Sequence, residues 1–127
     1  MHLPRILYVD DEEINLEILQ LTFMNELEVV TASSGMEGLK ILETNPDIQV
    51  IISDLKMPVM NGLDFIKEIK KTNREKVCML LTGFMESNIM LEGFNKELIF
   101  RYLTKPWRKE ELMDTINDAI KRCTDLS

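Results

Sequence analysis

The feature that most constrains this chain is an alternation. Short, continuous apolar runs, each ending in a polar or charged residue, are separated by longer amphipathic stretches. Ile6-Leu7-Tyr8-Val9 runs into Asp10-Asp11, and Val50-Ile51-Ile52-Ser53 ends at Asp54. Val77-Cys78-Met79-Leu80-Leu81 ends at Thr82-Gly83, and Ile99-Phe100-Arg101-Tyr102-Leu103 ends at Thr104-Lys105-Pro106. Such runs are what strands buried on both faces look like. Glu28 to Ala32 reads as a further short strand.

The stretches between them read as helices. From Glu13 to about Asn25, Ile14, Ile18 and Leu21 recur at helical spacing, with Leu16, Leu19 and Phe23 widening the stripe. Ser34 can cap a helix over Met36 to Glu43, with Glu37 at the capping-box position. Asn45-Pro46-Asp47 breaks it, and a loop with Pro58 and Asn61-Gly62 leads into a helix over Leu63 to Lys71. A fourth helix is predicted over about Ser87 to Phe94. The last covers about Lys109 to Cys123, with Leu112, Ile116, Ile120 and Cys123 on one face. Strands alternating with helices imply an α/β fold, a five-stranded parallel sheet with helices on both faces. The expectation is one domain over residues 1–127, which a longer native reading frame could extend.

Composition narrows the function. A chain of 127 residues is long enough to bury a core without staples. A net charge of −7 argues against nonspecific nucleic-acid or anionic-membrane binding, which need a basic surface. No apolar run approaches the roughly 18 residues that span a bilayer, and a cytoplasmic location is the default expectation. Cys78 and Cys123 each fall in an apolar stretch and read as buried free thiols. His2 is the sole histidine, so chemistry that needs an internal histidine is excluded.

Ligands of open α/β sheets bind beyond the carboxyl ends of the strands. At those ends stand Asp10, Asp11, Glu12, Asp54, Thr82 and Lys105. If the first and third strands are neighbours, the carboxylates converge. Two carboxylates about 4 Å apart repel by roughly 4 kcal/mol at an effective dielectric of 20. Such a cluster holds either protons or a cation, and oxygen ligands favour a hard ion such as Mg²⁺. A divalent ion, a carboxylate nucleophile, a hydroxyl and a lysine together make a phosphoryl-transfer site.

Five motifs occur in one order along essentially the whole chain: Val9-Asp10-Asp11-Glu12, Ser53-Asp54-Leu55-Lys56-Met57-Pro58, Asn61-Gly62, Leu81-Thr82-Gly83 and Tyr102-Leu103-Thr104-Lys105-Pro106. In these the chain resembles the response-regulator receiver domain of two-component signalling. The resemblance implies a flavodoxin-like strand order of 2-1-3-4-5. It implies that Asp54 is the phosphoacceptor, that Asp11 ligates Mg²⁺ directly and that Asp10 assists through water. The backbone carbonyl of Lys56 would be a further ligand, and Mn²⁺ could replace Mg²⁺. Thr82 and Lys105 would hold phosphoryl oxygens, Tyr102 would be the aromatic switch residue that follows Thr82, and the Lys105-Pro106 bond would be cis. Phe84 is bulkier than many receivers carry there, and Trp107 is a recurring variant after Lys105-Pro106.

As function, the resemblance implies a phosphorylation-activated switch without turnover of an external substrate. A histidine kinase or histidine phosphotransfer protein would be the donor. The output domain or protein would meet the face formed by the fourth predicted helix, the fifth strand and the last helix, where Met85 and Met90 could form an adaptable surface. Homodimerisation through that face is compatible with it. Two other readings compete: a phosphatase of the haloacid-dehalogenase type, and a degenerate receiver that binds partners without phosphorylation. A nucleotide- or flavin-binding module is disfavoured, because the acidic loop after the first strand would repel phosphate.

Overall fold

The computed structural model describes residues 3–83 and 98–126. The helix predicted over Ser87 to Phe94, with Phe84, Met85 and Met90, lies outside them. The strands are β1 (Arg5–Val9), β2 (Glu28–Ala32), β3 (Val50–Asp54), β4 (Val77–Thr82) and β5 (Arg101–Thr104). The described helices are α1 (Glu13–Thr22), α2 (Gly35–Thr44), α3 (Gly62–Thr72) and α4 (Lys109–Leu126). The strands form one parallel sheet in the order β2-β1-β3-β4-β5, as the resemblance implies. β5 starts two residues later than the apolar run suggests, because Ile99 precedes the ladder and is buried beside it.

Each strand's alternate residues feed opposite layers, as a side-chain period of two requires. Ile6, Tyr8, Ile52, Met79 and Leu81 meet Leu16, Leu19 and Phe23 on one side, together with Leu112, Ile116 and Ala119 of α4. Leu7, Val9, Ile51, Cys78 and Leu80 meet Leu42 of α2 and Phe65, Ile66 and Ile69 of α3 on the other. Ser34 caps α2 by accepting from the Glu37 amide at 3.1 Å, and Glu37 reaches back to the Ser33 amide at 3.0 Å. Asn61 caps α3 through the Asp64 amide at 2.8 Å. Each such cap satisfies amides that the helix leaves open.

The stripe read for α1 is corrected. Leu16, Leu19 and Phe23 face the sheet, whereas Ile14, Ile18 and Leu21 are exposed at 58%, 48% and 67%. Helical spacing holds for both sets, and a short helix can turn only one toward the sheet. The last helix turns the expected face inward, with Leu112 and Ile116 buried and Ile120 half-buried, but Cys123 is also only half-buried, which corrects its reading as a buried thiol. Among the described residues, no helix is long and apolar enough to cross a membrane.

Candidate functional site

The site is built by register. Val9 of β1 lies opposite Ser53 of β3, so the next residues, Asp10 and Asp54, leave adjacent strands side by side. Asp54 pairs with Leu81, which sets Thr82 one step beyond it on the other flank. Thr82 pairs with Thr104, and the Lys105 amide donates to the Thr82 carbonyl at 2.8 Å. The segment after β5 is pinned to α1. The Trp107 and Phe23 rings lie 5.8 Å apart, and Lys109 pairs with Glu26 at 3.2 Å. The Lys105-Pro106 bond within it is cis.

Asp10 is fully buried, Asp54 nearly so, and Asp11 is exposed. One oxygen from each lies within 4.8 Å of the other two. Lys105 Nζ sits 2.6 Å from Asp54 Oδ1 and 3.5 Å from Asp10 Oδ2. Burial raises the Asp54 carboxyl above the usual carboxylate range. Lys105 opposes that rise, and Asp10 and Asp11 add to it. Burial works against the Lys105 ammonium, yet the hydrogen bond and charge of Asp54, with help from Asp10, hold it above its ordinary value. Among the described residues, Lys105 thus serves two of the three clustered carboxylates, Asp54 and Asp10.

Those carboxylates fit a hard divalent ion. Octahedral Mg²⁺ with bonds of 2.0–2.1 Å sets its ligand oxygens about 3 to 4 Å apart. One oxygen of each acid lies within 4.8 Å of the other two, close to that spacing, and the charge added would relieve their mutual repulsion. Lys56 lies two residues past Asp54 in the β3–α3 loop, with its side chain in solvent. Thr82 is buried, and its hydroxyl lies 3.5 Å from the Leu103 carbonyl. Tyr102 is half-buried on β5 opposite Leu80, and burial raises its phenol. The structure thus gathers Asp10, Asp11, Asp54 and Lys105 in direct reach, with Thr82 on the flank and Tyr102 two residues further back along the sheet.

Two residues at the site escape the sequence reading. The Tyr8 hydroxyl donates to Asp10 Oδ2 at 2.7 Å, and Asn15 Nδ2 donates to the same oxygen at 3.2 Å. Burial, then Asp10, raises the phenol, so it stays a donor. A signal for Tyr8 existed. Residues 8 and 10 share a strand face, and a tyrosine spans the roughly 7 Å between alternate positions. Tyr8, Asn15, Ile18 and Thr22 also line a cavity of about 590 Å³, closed on its other side by Lys105, Pro106 and Trp107.

Residues 6–117 match the family model described as response regulator receiver domain. The hydrogenase transcriptional regulatory protein HoxA of Cupriavidus necator is 34% identical over 91% of this chain, which spans only 24% of that regulator's length. A response regulator receiver domain protein from Clostridium thermocellum superposes with a TM-score of 0.91 at 38% identity, covering 98% of this chain and 100% of that one. A structure described as adenylate cyclase from Rhodopirellula baltica gives 0.90 at 31%, covering 98% and 92%. With the strand order, the acidic edge and a family match over most of its length in agreement, this chain belongs to the receiver domains of two-component response regulators.

Proposed function

We propose that Asp54 is the phosphoacceptor of this switch and that the chain is a single receiver domain within a larger regulatory scheme. The observation that carries this reading is the short contact of Lys105 with Asp54, 2.6 Å, inside a cluster of three acids. A buried carboxylate that already holds an ammonium is poised at the place where an anionic group would arrive. Asp10, Asp11, Asp54 and the backbone carbonyl of Lys56 would hold Mg²⁺ or Mn²⁺. The ion supplies charge that neutralises the oxygens of the transferring group.

In this reading an oxygen of Asp54 bonds to phosphorus as the donor's phosphorus–nitrogen bond breaks, and the departing imidazole takes up a proton. Lys105 leaves the carboxylate for a phosphoryl oxygen, and the Thr82 hydroxyl donates to another. Tyr102 follows Thr82 and carries the change to the surface of β5 and α4. The donor is a histidine kinase or histidine phosphotransfer protein, met in the cytoplasm. The output, whether a domain of the same chain or a separate protein, reads the face that includes β5, α4 and the helix predicted before β5. No external substrate is turned over.

The test is treatment with acetyl phosphate and Mg²⁺. An acid-stable, base-labile adduct should form on the wild type, vanish with Asp54→Asn and slow sharply with Lys105→Ala. Absence of an adduct on the wild type, or one undiminished on Asp54→Asn, sinks the proposal.

A further inference from the structure

Asp10 is a carboxylate with no solvent contact, and a buried charge of that kind survives only if its lone pairs are occupied. Its donors are unevenly shared. Oδ2 receives the Tyr8 hydroxyl at 2.7 Å and Asn15 Nδ2 at 3.2 Å, with Lys105 Nζ at 3.5 Å. Among the described residues, Oδ1 receives a single donor, the Glu12 amide at 2.9 Å. Each carboxylate oxygen has two lone pairs, so Oδ2 is filled while Oδ1 keeps one open. An open pair leaves Oδ1 free to accept from a water or to ligate a cation.

Lys105 could have filled Oδ2 by itself. It stands 0.9 Å closer to Asp54 than to Asp10, 2.6 against 3.5 Å, and the Asp10 oxygen it faces already carries Tyr8 and Asn15. Tyr8 is held for this task. It is 1% exposed on the inner strand β1 and packed in the layer with Leu16, Leu19 and Ile52. Asn15 comes from the first turn of α1, whose start is fixed by the same Asp10 carboxylate through the Glu12 amide.

We infer that Tyr8, supported by Asn15, is a positioning residue of the metal site: the pair saturates Asp10 Oδ2, leaves the open lone pair on Oδ1 and leaves Lys105 to Asp54. This rests on the metal-site reading given above. Donors that orient a metal's carboxylates typically change affinity by about 10- to 100-fold when removed. Without the Tyr8 hydroxyl Asp10 keeps its donors from Asn15, Lys105 and the Glu12 amide, so the effect belongs at the lower end of that range.

The experiment is a titration of the phosphodonor-free protein with Mg²⁺, followed by backbone amide NMR shifts and by emission of Trp107, the single tryptophan, whose indole shares a cavity with Tyr8 and Lys105. Tyr8→Phe keeps the ring and its packing and should weaken Mg²⁺ about tenfold, while Asn15→Ala should weaken it by about threefold. The half-saturating Mg²⁺ concentration for phosphorylation by acetyl phosphate should rise by the same factors. Mg²⁺ binding by Tyr8→Phe equal to or tighter than wild type overturns the inference, even if that variant melts earlier. Should Tyr8→Phe not fold, unchanged binding by Asn15→Ala overturns it. Asp11→Asn separates the two levels. A wild type that responds to Mg²⁺ no more than Asp11→Asn overturns the metal site and this inference with it. A wild type that binds while Tyr8→Phe binds equally well overturns this inference alone.

Discussion

Gly62 offers a measurement of how tightly the helix behind the site is set. It opens α3 directly after its Asn61 cap, and its amide donates to the Leu55 carbonyl at 2.8 Å. A Cβ there would stand 2.7 Å from Leu80 Cδ2 and 3.0 Å from the carbonyl carbon of Asp54, and closer still to the Asp54 carbonyl oxygen. Carbon atoms sit comfortably at about 3.5–4.0 Å, so Gly62→Ala demands a shift of roughly 0.5–1 Å. The obstacle is backbone of an inner strand, which cannot rotate aside. Overpacking of this kind costs about 1–3 kcal/mol, and the rigid neighbour puts Gly62→Ala near 3 kcal/mol. Gly35 is the matched control. It also opens a helix directly after its cap, but its Cβ would meet chiefly the flexible tail of Met60. Neither glycine has a positive φ, so alanine suits both backbones and the helix-propensity gain is shared. With a urea slope of about 2 kcal/mol/M, Gly62→Ala should lower the unfolding midpoint by about 1.5 M, and Gly35→Ala should stay within about 0.5 M of wild type. The Gly62 variant should also slow phosphorylation, because the displaced carbonyl belongs to Asp54. Equal midpoints for the two variants would refute the steric argument.

Val59 has φ 70°, is fully exposed, and lies between the Pro58 carbonyl and the Met60 amide that bond at 2.7 Å, the i to i+2 closure of a γ-turn. A β-branched residue is strained there and has no packing to lose, so Val59→Gly should raise stability by about 1 kcal/mol in urea unfolding, net of the glycine's larger unfolded-state entropy; a lower midpoint would contradict it. The two thiols should differ: Cys78 is buried and its thiol is pushed up to about 12 by burial, whereas Cys123 is half-buried near the Gln49 carbonyl. Native protein should therefore react with a disulfide reagent at Cys123 and reach Cys78 only on unfolding, and mass spectrometry showing Cys78 modified first would reverse that order.

How much of this was legible depends on what places each residue. In a parallel sheet every carboxyl end lies at one edge, so the topology itself gathers Asp10, Asp54, Thr82 and Lys105, whatever the details of packing. Reading the ends of apolar runs was enough, and the boundaries of β2, β3 and β4 follow the runs closely. The helix faces were harder. α1 carries two apolar stripes at helical spacing, and nothing in the periodicity says that Leu16 and Leu19 turn inward while Ile14 and Ile18 do not. That choice is made by the sheet, which the stripe alone does not contain. Tyr8 was hidden for a related reason. In a run of four apolar residues it counts as one more buried ring, and only the period of two, combined with the length of its side chain, turns it toward Asp10. Strand order therefore explains why acids meet at this edge, but not which of their oxygens stay open. That second question is settled by single hydrogen bonds from neighbours with ordinary structural credentials, a tyrosine in a strand and an asparagine in a helix. A receiver with the same five motifs and a phenylalanine at position 8 would present the same acids with Asp10 held by one donor fewer, so metal affinity can differ between chains whose motifs read alike.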